Sequence, residues 1–311
     1  MNKKIFGFLL GVGLTVFAPV TAQAEVLVIL PASGPMALAA NSVREGIYAA
    51  YYAGNYKPPL RFVDNSQRSI GDILKKEVKK STQLIIGPLA REEVEALVQA
   101  KPKVKTLALN QIYKSAPGVW QFALSPDEDA LAITRQIQAD GVKELLVLTQ
   151  DSRTSSTARF REAMNRIWGD KLIDTQQLPR HLPEQQGALL LGDYNWLNGL
   201  KRLPTENIYT VPLVINEDAS LPRGLQFCDI PALYQANWPE LLNSYQQKPV
   251  AVPYQRLLAF GADAWQISSD LLRSANNQNF DGRTGKIKVI GNIIERQPAC
   301  MTVEADGLKV H

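Results

Sequence analysis

Histidine is almost missing from this 311-residue chain: His181 lies in a proline-flanked loop and His311 is the last residue. Neither has a second ligand at metal-binding spacing and H-E-x-x-H does not occur, so no metal is expected. G-x-S-x-G, S-x-x-K and G-x-G-x-x-G are absent too. Those absences remove the nucleophile elbow, the acyl-serine box and the dinucleotide loop. Charge of one sign is not concentrated: 34 Lys and Arg face 30 Asp and Glu, giving +4 with no long basic run. Nucleic acid is therefore not an expected partner. No internal repeat and no low-complexity linker is visible.

Partial motifs are present but incomplete. Gly282-Arg283-Thr284-Gly285-Lys286 echoes a phosphate loop, yet its glycines are too close and Ile287 stands where Ser or Thr would hold Mg²⁺. Arg283-Thr284-Gly285 and Ser274-Ala275-Asn276 echo two boxes of acyl-serine enzymes that lack their nucleophile here. Asp127 with Asp129, and Glu92 with Glu95, are carboxylate pairs at expected helix starts, where they compensate the helix dipole. The inventory argues against catalysis, and neither catalytic residues nor a cofactor are expected.

Residues 1–24 stand apart from the rest. Lys3 and Lys4 precede an apolar stretch over 5–17, and Ala22-Gln23-Ala24 fits an A-x-A cleavage site. The stretch is short for a membrane span. The expectation is a cleaved signal peptide, a periplasmic location and no stable membrane anchor, since no lipobox cysteine adjoins the cleavage point. Cysteine is scarce, with only Cys228 and Cys300. In an oxidising compartment an even count permits a disulfide, and two buried free thiols are the alternative.

The chain is organised around 25–52, EVLVILPASGPMALAANSVREGIYAAYY. The aliphatic run 26–30 reads as a buried strand, PASGP as a turn, and Val43, Ile47, Ala50 and Tyr51 as one face of a helix. Strands over 60–63, 83–86 and 106–110 follow, with helices over 70–80 and 91–100 between them. A helix over 127–140 is capped by Ser125 or Asp127 and ended by Gly141. The alternation then restarts with strands over 144–149, 188–191 and 208–214 and a helix over 157–168. Helices are expected over 238–247 and 255–274. Residues 280–285 read as a turn-rich break, 286–294 and 299–303 as an antiparallel pair, and 308–310 as a last short strand.

The expected fold class is α/β, with two lobes built on parallel doubly wound sheets. In such sheets ligands sit at the carboxyl ends of strands. Those ends supply Ser33, Gly34, Gly87, Pro88, Asn110, Ser125, Asp151, Asp193 and Tyr194 as cleft candidates for a small ligand. Turn and cap chemistry accounts for each of them equally well.

The stretches LPASGPMALAANSVREGIYAAYY, IIGPLAREEVEAL, TLALN, FALSPDEDA, GLQFCDIP, LAFGADAW and FDGRTGKIKV carry a wider pattern. The chain after its leader resembles the C-terminal domain of the LpoA (LppC) family of penicillin-binding protein activators. The resemblance implies a type I periplasmic-binding-protein fold, two Rossmann-like lobes joined by three crossovers near Ser125, 224–231 and 280–285. The expected lobes are 25–124 plus 232–281 and 125–231 plus 282–311. It further implies a non-enzymatic regulator that binds a class A penicillin-binding protein, a bifunctional synthase, and stimulates peptidoglycan synthesis. Departures from that family are the absent lipobox cysteine, the absent N-terminal helical domain, and Cys300. The alternative is a periplasmic solute-binding receptor that closes over a small polar ligand such as an amino acid.

Overall fold

The computed structural model describes residues 24–150, 155–212, 221–274 and 277–311. The leader 1–23 and Asp151 lie outside the described residues.

The first sheet contains β1 (Glu25–Leu30), β2 (Leu60–Asp64), β3 (Thr82–Ile86), β4 (Lys105–Ala108) and β5 (Val119–Gln121) in the order β2-β1-β3-β4-β5. Every pairing is parallel. β1 is buried on both faces, which is why it reads as an unbroken aliphatic run. Its alternation assigns the faces. Val26, Val28 and Leu30 join one core, while Leu27 and Ile29 join another with Val94 and Leu97. Connecting helices are α1 (Ala37–Ala53), α2 (Ile70–Lys76) and α3 (Arg91–Ala100). α2 is shorter than its sequence pattern, because Glu77 caps it and the following turn is fixed by Lys79 N–H donating to Thr82 Oγ1 at 3.0 Å.

The second sheet repeats the winding. α4 (Pro126–Ala139) leads into β6 (Glu144–Thr149), α5 (Ser155–Trp168), β7 (Leu172–Asp174), β8 (Gln186–Leu191), α6 (Tyr194–Gly199), β9 (Ile208–Thr210) and β10 (Leu225–Asp229). The order β7-β6-β8-β9-β10 is parallel throughout and matches the first sheet strand for strand. β7 was not legible in the sequence: it is three residues long, and only Leu172 is buried.

α7 (Pro239–Gln247) and α8 (Val252–Leu272) return to the first core. α8 lies against α1 at backbone distance. A Cβ on Gly46 would fall 1.9 Å from Leu258 O, and one on Gly261 would fall 2.0 Å from Val43 O. Glycine is required at both places by the approach of the two backbones.

The C-terminal strands differ from expectation. β11 (Asn277–Gly282), β12 (Gly285–Ile290) and β13 (Ile293–Gln297) form a separate antiparallel sheet. Its inward residues Ile287, Val289 and Ile294 belong to the first core, so 282–297 packs there and not with the second lobe. β14 (Ala299–Glu304) pairs antiparallel with β10, and β15 (Gly307–Val310) pairs with β14. The chain thus passes between cores at three places: between Phe122 and Ala130, between Cys228 and Ile230, and between Ile294 and Met301. The last crossing falls after β13, later than the 280–285 turn. That turn is instead the hairpin between β11 and β12, since Gly282 pairs with Gly285. The two segments read as one antiparallel pair, 286–294 and 299–303, lie in different sheets for the same reason.

Cys228 of β10 and Cys300 of β14 face each other in register and are bonded, Sγ–Sγ 1.99 Å. The bond ties the strand entering the second crossing to the strand leaving the third. Closing a loop of this length contributes about 4 kcal/mol in the chain-entropy model. Reduction is expected to lower the melting temperature by roughly 10 °C; an unchanged melt with two titratable native thiols would refute the bond. Gly46→Ala is expected to cost about 3 kcal/mol in chemical denaturation, because neither backbone can retreat.

Candidate functional site

Both parallel sheets reverse direction between the first and third strands of their winding, and that is where open α/β sheets bind ligands. In the first lobe the switch point is flanked by the loops after β1 and β3. In the second it is flanked by those after β6 and β8. Ser33 and Gly34, Gly87 and Pro88, and Asp193 and Tyr194 all lie there; Asn110 and Ser125 follow β4 and β5.

The local hydrogen bonds decide what these residues can still do. Ala32 N–H donates to Asp64 Oδ1 at 2.9 Å and to Ser66 Oγ at 3.0 Å, and Ser33 N–H donates to Ser66 Oγ at 2.9 Å. Ser66 Oγ–H in turn donates to Asp64 Oδ1 at 2.6 Å. The Ser66 hydroxyl and amide, with the Ala32 amide, hold the Asp64 carboxyl below the usual carboxylate range. Gly87, with φ of +102°, sits so close to β1 that a Cβ would lie 2.2 Å from Ile29 O. Its N–H donates to Leu107 O at 2.8 Å, and Pro88 O accepts from Leu109 N–H at 3.0 Å. Asn110 Nδ2 donates to Leu89 O at 3.0 Å, and its Oδ1 accepts from Gln111 N–H at 2.9 Å. These groups stitch neighbouring strand ends together.

The start of α3 is also occupied. Glu93, third in the helix, places its carboxylate near the Ala90 amide. Asn65 Nδ2 donates to Glu93 Oε1 at 2.7 Å. Burial pushes the Glu93 carboxyl up in spite of both neighbours. A carboxylate of the protein's own therefore stands at the helix end that would favour an anionic ligand.

On the second lobe Ser125 caps α4, accepting from Asp127 N–H at 3.3 Å. Asp193 caps α6: Oδ1 accepts from Trp196 N–H at 2.9 Å, and Oδ2 accepts from Gln150 Nε2 at 3.0 Å. The Trp196 amide, then Gln150, hold its carboxyl below the ordinary range. Tyr194 is the half-buried first residue of α6. Among the described residues no group of three or more His, Cys, Asp or Glu is arranged to hold a metal ion.

The residues that sequence reading missed are buried charges at the crossings. Arg296 of β13 is 4% exposed. It donates through Nε to Glu128 Oε2 at 3.2 Å, through Nη2 to Asp129 Oδ1 at 2.6 Å and through Nη1 to Thr284 O at 3.1 Å. Its backbone N–H donates to Glu128 Oε1 at 2.8 Å. The acidic start of α4 is therefore the counter-charge of Arg296 as well as a complement to the helix dipole. At the second crossing Arg256 of α8 meets Asp229 of β10, Nε to Oδ1 at 2.9 Å and Nη2 to Oδ2 at 2.5 Å. Tyr234 Oη–H also donates to Asp229 Oδ2, at 2.8 Å. The G-R-T-G turn is anchored on fully buried Asp263 of α8. Arg283 N–H donates to Oδ1 at 2.9 Å, and Thr284 N–H and Oγ–H donate to Oδ2, each at 2.7 Å. That anchoring gives the partial phosphate-loop motif a structural reason. An arginine spaced far from an acidic helix start carries no sequence signal; only its place two residues after inward Ile294 in the alternation of β13 hints at burial.

The description “LppC putative lipoprotein” belongs to a family model that matches residues 14–178, more than half of the chain. A “Penicillin-binding protein activator LpoA” of Photobacterium profundum is 25% identical over 354 residues, covering 91% of this chain and 56% of that protein. This chain spans about half the length of the curated relatives it matches. Among solved structures, the LpoA C-domain of Haemophilus influenzae, described as a regulator of PBP1A, superposes with a TM-score of 0.74 at 20% identity. That match covers 93% of this chain and all of that one. A “putative branched-chain amino acid ABC transporter” of Chromobacterium violaceum superposes at 0.71 with 22% identity, covering 90% and 100%. At such identities the structural matches establish the fold, type I periplasmic-binding-protein-like.

Burial pushes the Glu128 carboxyl up to about 7, against the pull of Arg296. A carboxyl whose folded value lies above its unfolded one costs stability once both states ionise. The chain should therefore lose up to about 3 kcal/mol between pH 4.5 and about 7 relative to Glu128→Gln. Paired melts of the two proteins across that window check this, and parallel curves would contradict it. Arg296→Met is expected to be the more damaging change, by about 3–5 kcal/mol near pH 8, since it strands Glu128 and Asp129 without a counter-charge.

Proposed function

The chain belongs to the LppC family, and from that premise we propose that it is a non-enzymatic periplasmic regulator that binds a class A penicillin-binding protein and raises its peptidoglycan-synthesising activity. The observation that carries this reading is the state of the strand ends. Ala32 and Ser33 amides are taken by Asp64 and Ser66. A receptor for an amino acid fixes the ligand's charged ends with convergent donors and acceptors in its cleft. Here the Ala32 and Ser33 amides of the loop after β1 already have partners within the protein. The relatives' name, penicillin-binding protein activator, supports the same reading.

Under this proposal activity resides in surface contact. The leader directs export, and no chemical step is performed by the chain itself. The solute-receptor alternative draws on the superposition with a protein described as an amino-acid transporter component.

Purified chain added to a purified class A synthase is expected to increase transglycosylase or transpeptidase turnover severalfold at saturating chain. Unchanged turnover with several such synthases would reject the proposal. A panel of free amino acids is expected to leave the melting temperature unmoved. A shift that grows with ligand concentration would instead favour the receptor.

A further inference from the structure

We propose that the trough between α1 and α7, on the outside of the first lobe, binds a glycan chain: a neutral, polyhydroxylated ligand with apolar ring faces. This inference goes beyond the synthase reading and does not depend on it.

One wall is aromatic. α1 presents Tyr48 and Tyr52 one turn apart, and Tyr56 follows at the same interval just past the helix end. The Tyr48 and Tyr52 rings are nearly parallel, 19° apart with centroids 5.8 Å apart. Tyr48 is backed by Phe62 at 5.0 Å, which fixes the ridge. Tyr52 nevertheless stays 65% exposed. The Lys57 ammonium hovers 6.0 Å above it, at the outer limit of cation–π attraction, so the ring remains accessible.

The facing wall is polar, and Glu240 is its one ionisable side chain. α7 turns Asn243, Ser244 and Gln247 toward the tyrosines, and among the described residues none of these three side chains has a hydrogen-bond partner. The two carboxylates in the trough are already matched, Glu45 by Lys248 at 4.0 Å and Glu240 by Arg283 at 2.7 Å. The cavity measures about 700 Å³. It continues past Ala53 and Glu240 into a second hollow of about 380 Å³ bordered by Tyr56 and Trp265. An elongated trough suits a chain better than a single small molecule.

The chemistry selects the ligand class. Aromatic rings offer extended apolar area with a polar tip, and pyranose rings offer C–H faces to lie on it. Free amide and hydroxyl groups opposite supply donors and acceptors to ring hydroxyls and acetamido groups. Locally neutralised charges give no advantage to an ionic ligand. A proline-rich peptide also favours aromatic ridges, but a wall of unpartnered neutral hydrogen-bonding groups matches a hydroxyl-rich chain more fully.

The test titrates the purified chain with a β-1,4-linked N-acetylglucosamine tetramer by calorimetry. Saturable binding is expected. Tyr52→Ala should weaken it about tenfold, the loss of one stacking partner plus its buried area, with the melting temperature unchanged. Asn243→Ala should weaken it as well, and a proline-rich peptide should not compete. The proposal is overturned by absence of binding at millimolar tetramer, or by both variants binding as the parent does. It is also overturned if the peptide displaces the tetramer, or if Tyr52→Ala abolishes synthase stimulation while tetramer binding persists; either marks the face as a protein-docking surface.

Discussion

Arg296 is the group on which the joining of the two cores depends. It is carried by the small antiparallel sheet of the first core, yet its guanidinium is satisfied by Glu128 and Asp129 at the start of the second core's first helix. Breaking such a buried pair leaves an uncompensated charge in low dielectric, and that costs far more than the pair contributes over a hydrophobic equivalent. The bridge thus specifies geometry more than it adds stability. Arg256 with Asp229 does the same at the second crossing, from α8 of the first core to the last parallel strand of the second. The two clusters are adjacent, since Asp129 feels the charges of both Asp229 and Arg256. A single field of alternating charges therefore ties together the segments where the chain changes core.

The disulfide reinforces the same region. Cys228 precedes Asp229 by one residue, and Cys300 follows the end of β13 by three. Backbone pairing, a covalent bond and buried ion pairs converge within a few residues of the second and third crossings. α1 and α8, held backbone to backbone at Gly46 and Gly261, then fix the long helix that carries Arg256 and Asp263. Packing in the first core is in this way transmitted to the position of the second.

Much of the fold was legible because its signals are local. The run Val26–Leu30, the cap at Ser125 and the periodic helix read over 255–274, which the structure starts at Val252, each announce themselves within a dozen residues. The restart of the alternation after Gly141 disclosed the second lobe. What failed was non-local or brief. β7 has one buried residue, and β11 lies in a polar stretch whose buried members, Gln278 and Gly282, do not look like core. The 280–285 segment has turn composition, which is correct, but nothing in it says whether the chain crosses there or folds back. That depends on Ile287, Val289 and Ile294 finding the first core. Apart from Asp151, the cleft candidates lie in segments that follow parallel strands. The bonds of Ser33 to Ser66, Gly87 to Leu107 and Asp193 to Gln150, however, join residues 20 or more apart, and such pairings are invisible without the fold.

The same winding that gives solute receptors a ligand crevice is here lined, on the first lobe, by groups already engaged with one another. A carboxylate placed third in α3 is a modest sequence choice, but it occupies the position where a helix start would otherwise attract an anion. Asp64 and Ser66 do the same for the loop after β1. Once those donors are committed internally, a ligand there would have to compete with hydrogen bonds the protein already makes. The crossings, meanwhile, are braced by charges that tolerate little displacement. A fold in this condition keeps the architecture shared with its solute-binding neighbours while the loop after its first strand is bonded to the protein's own side chains.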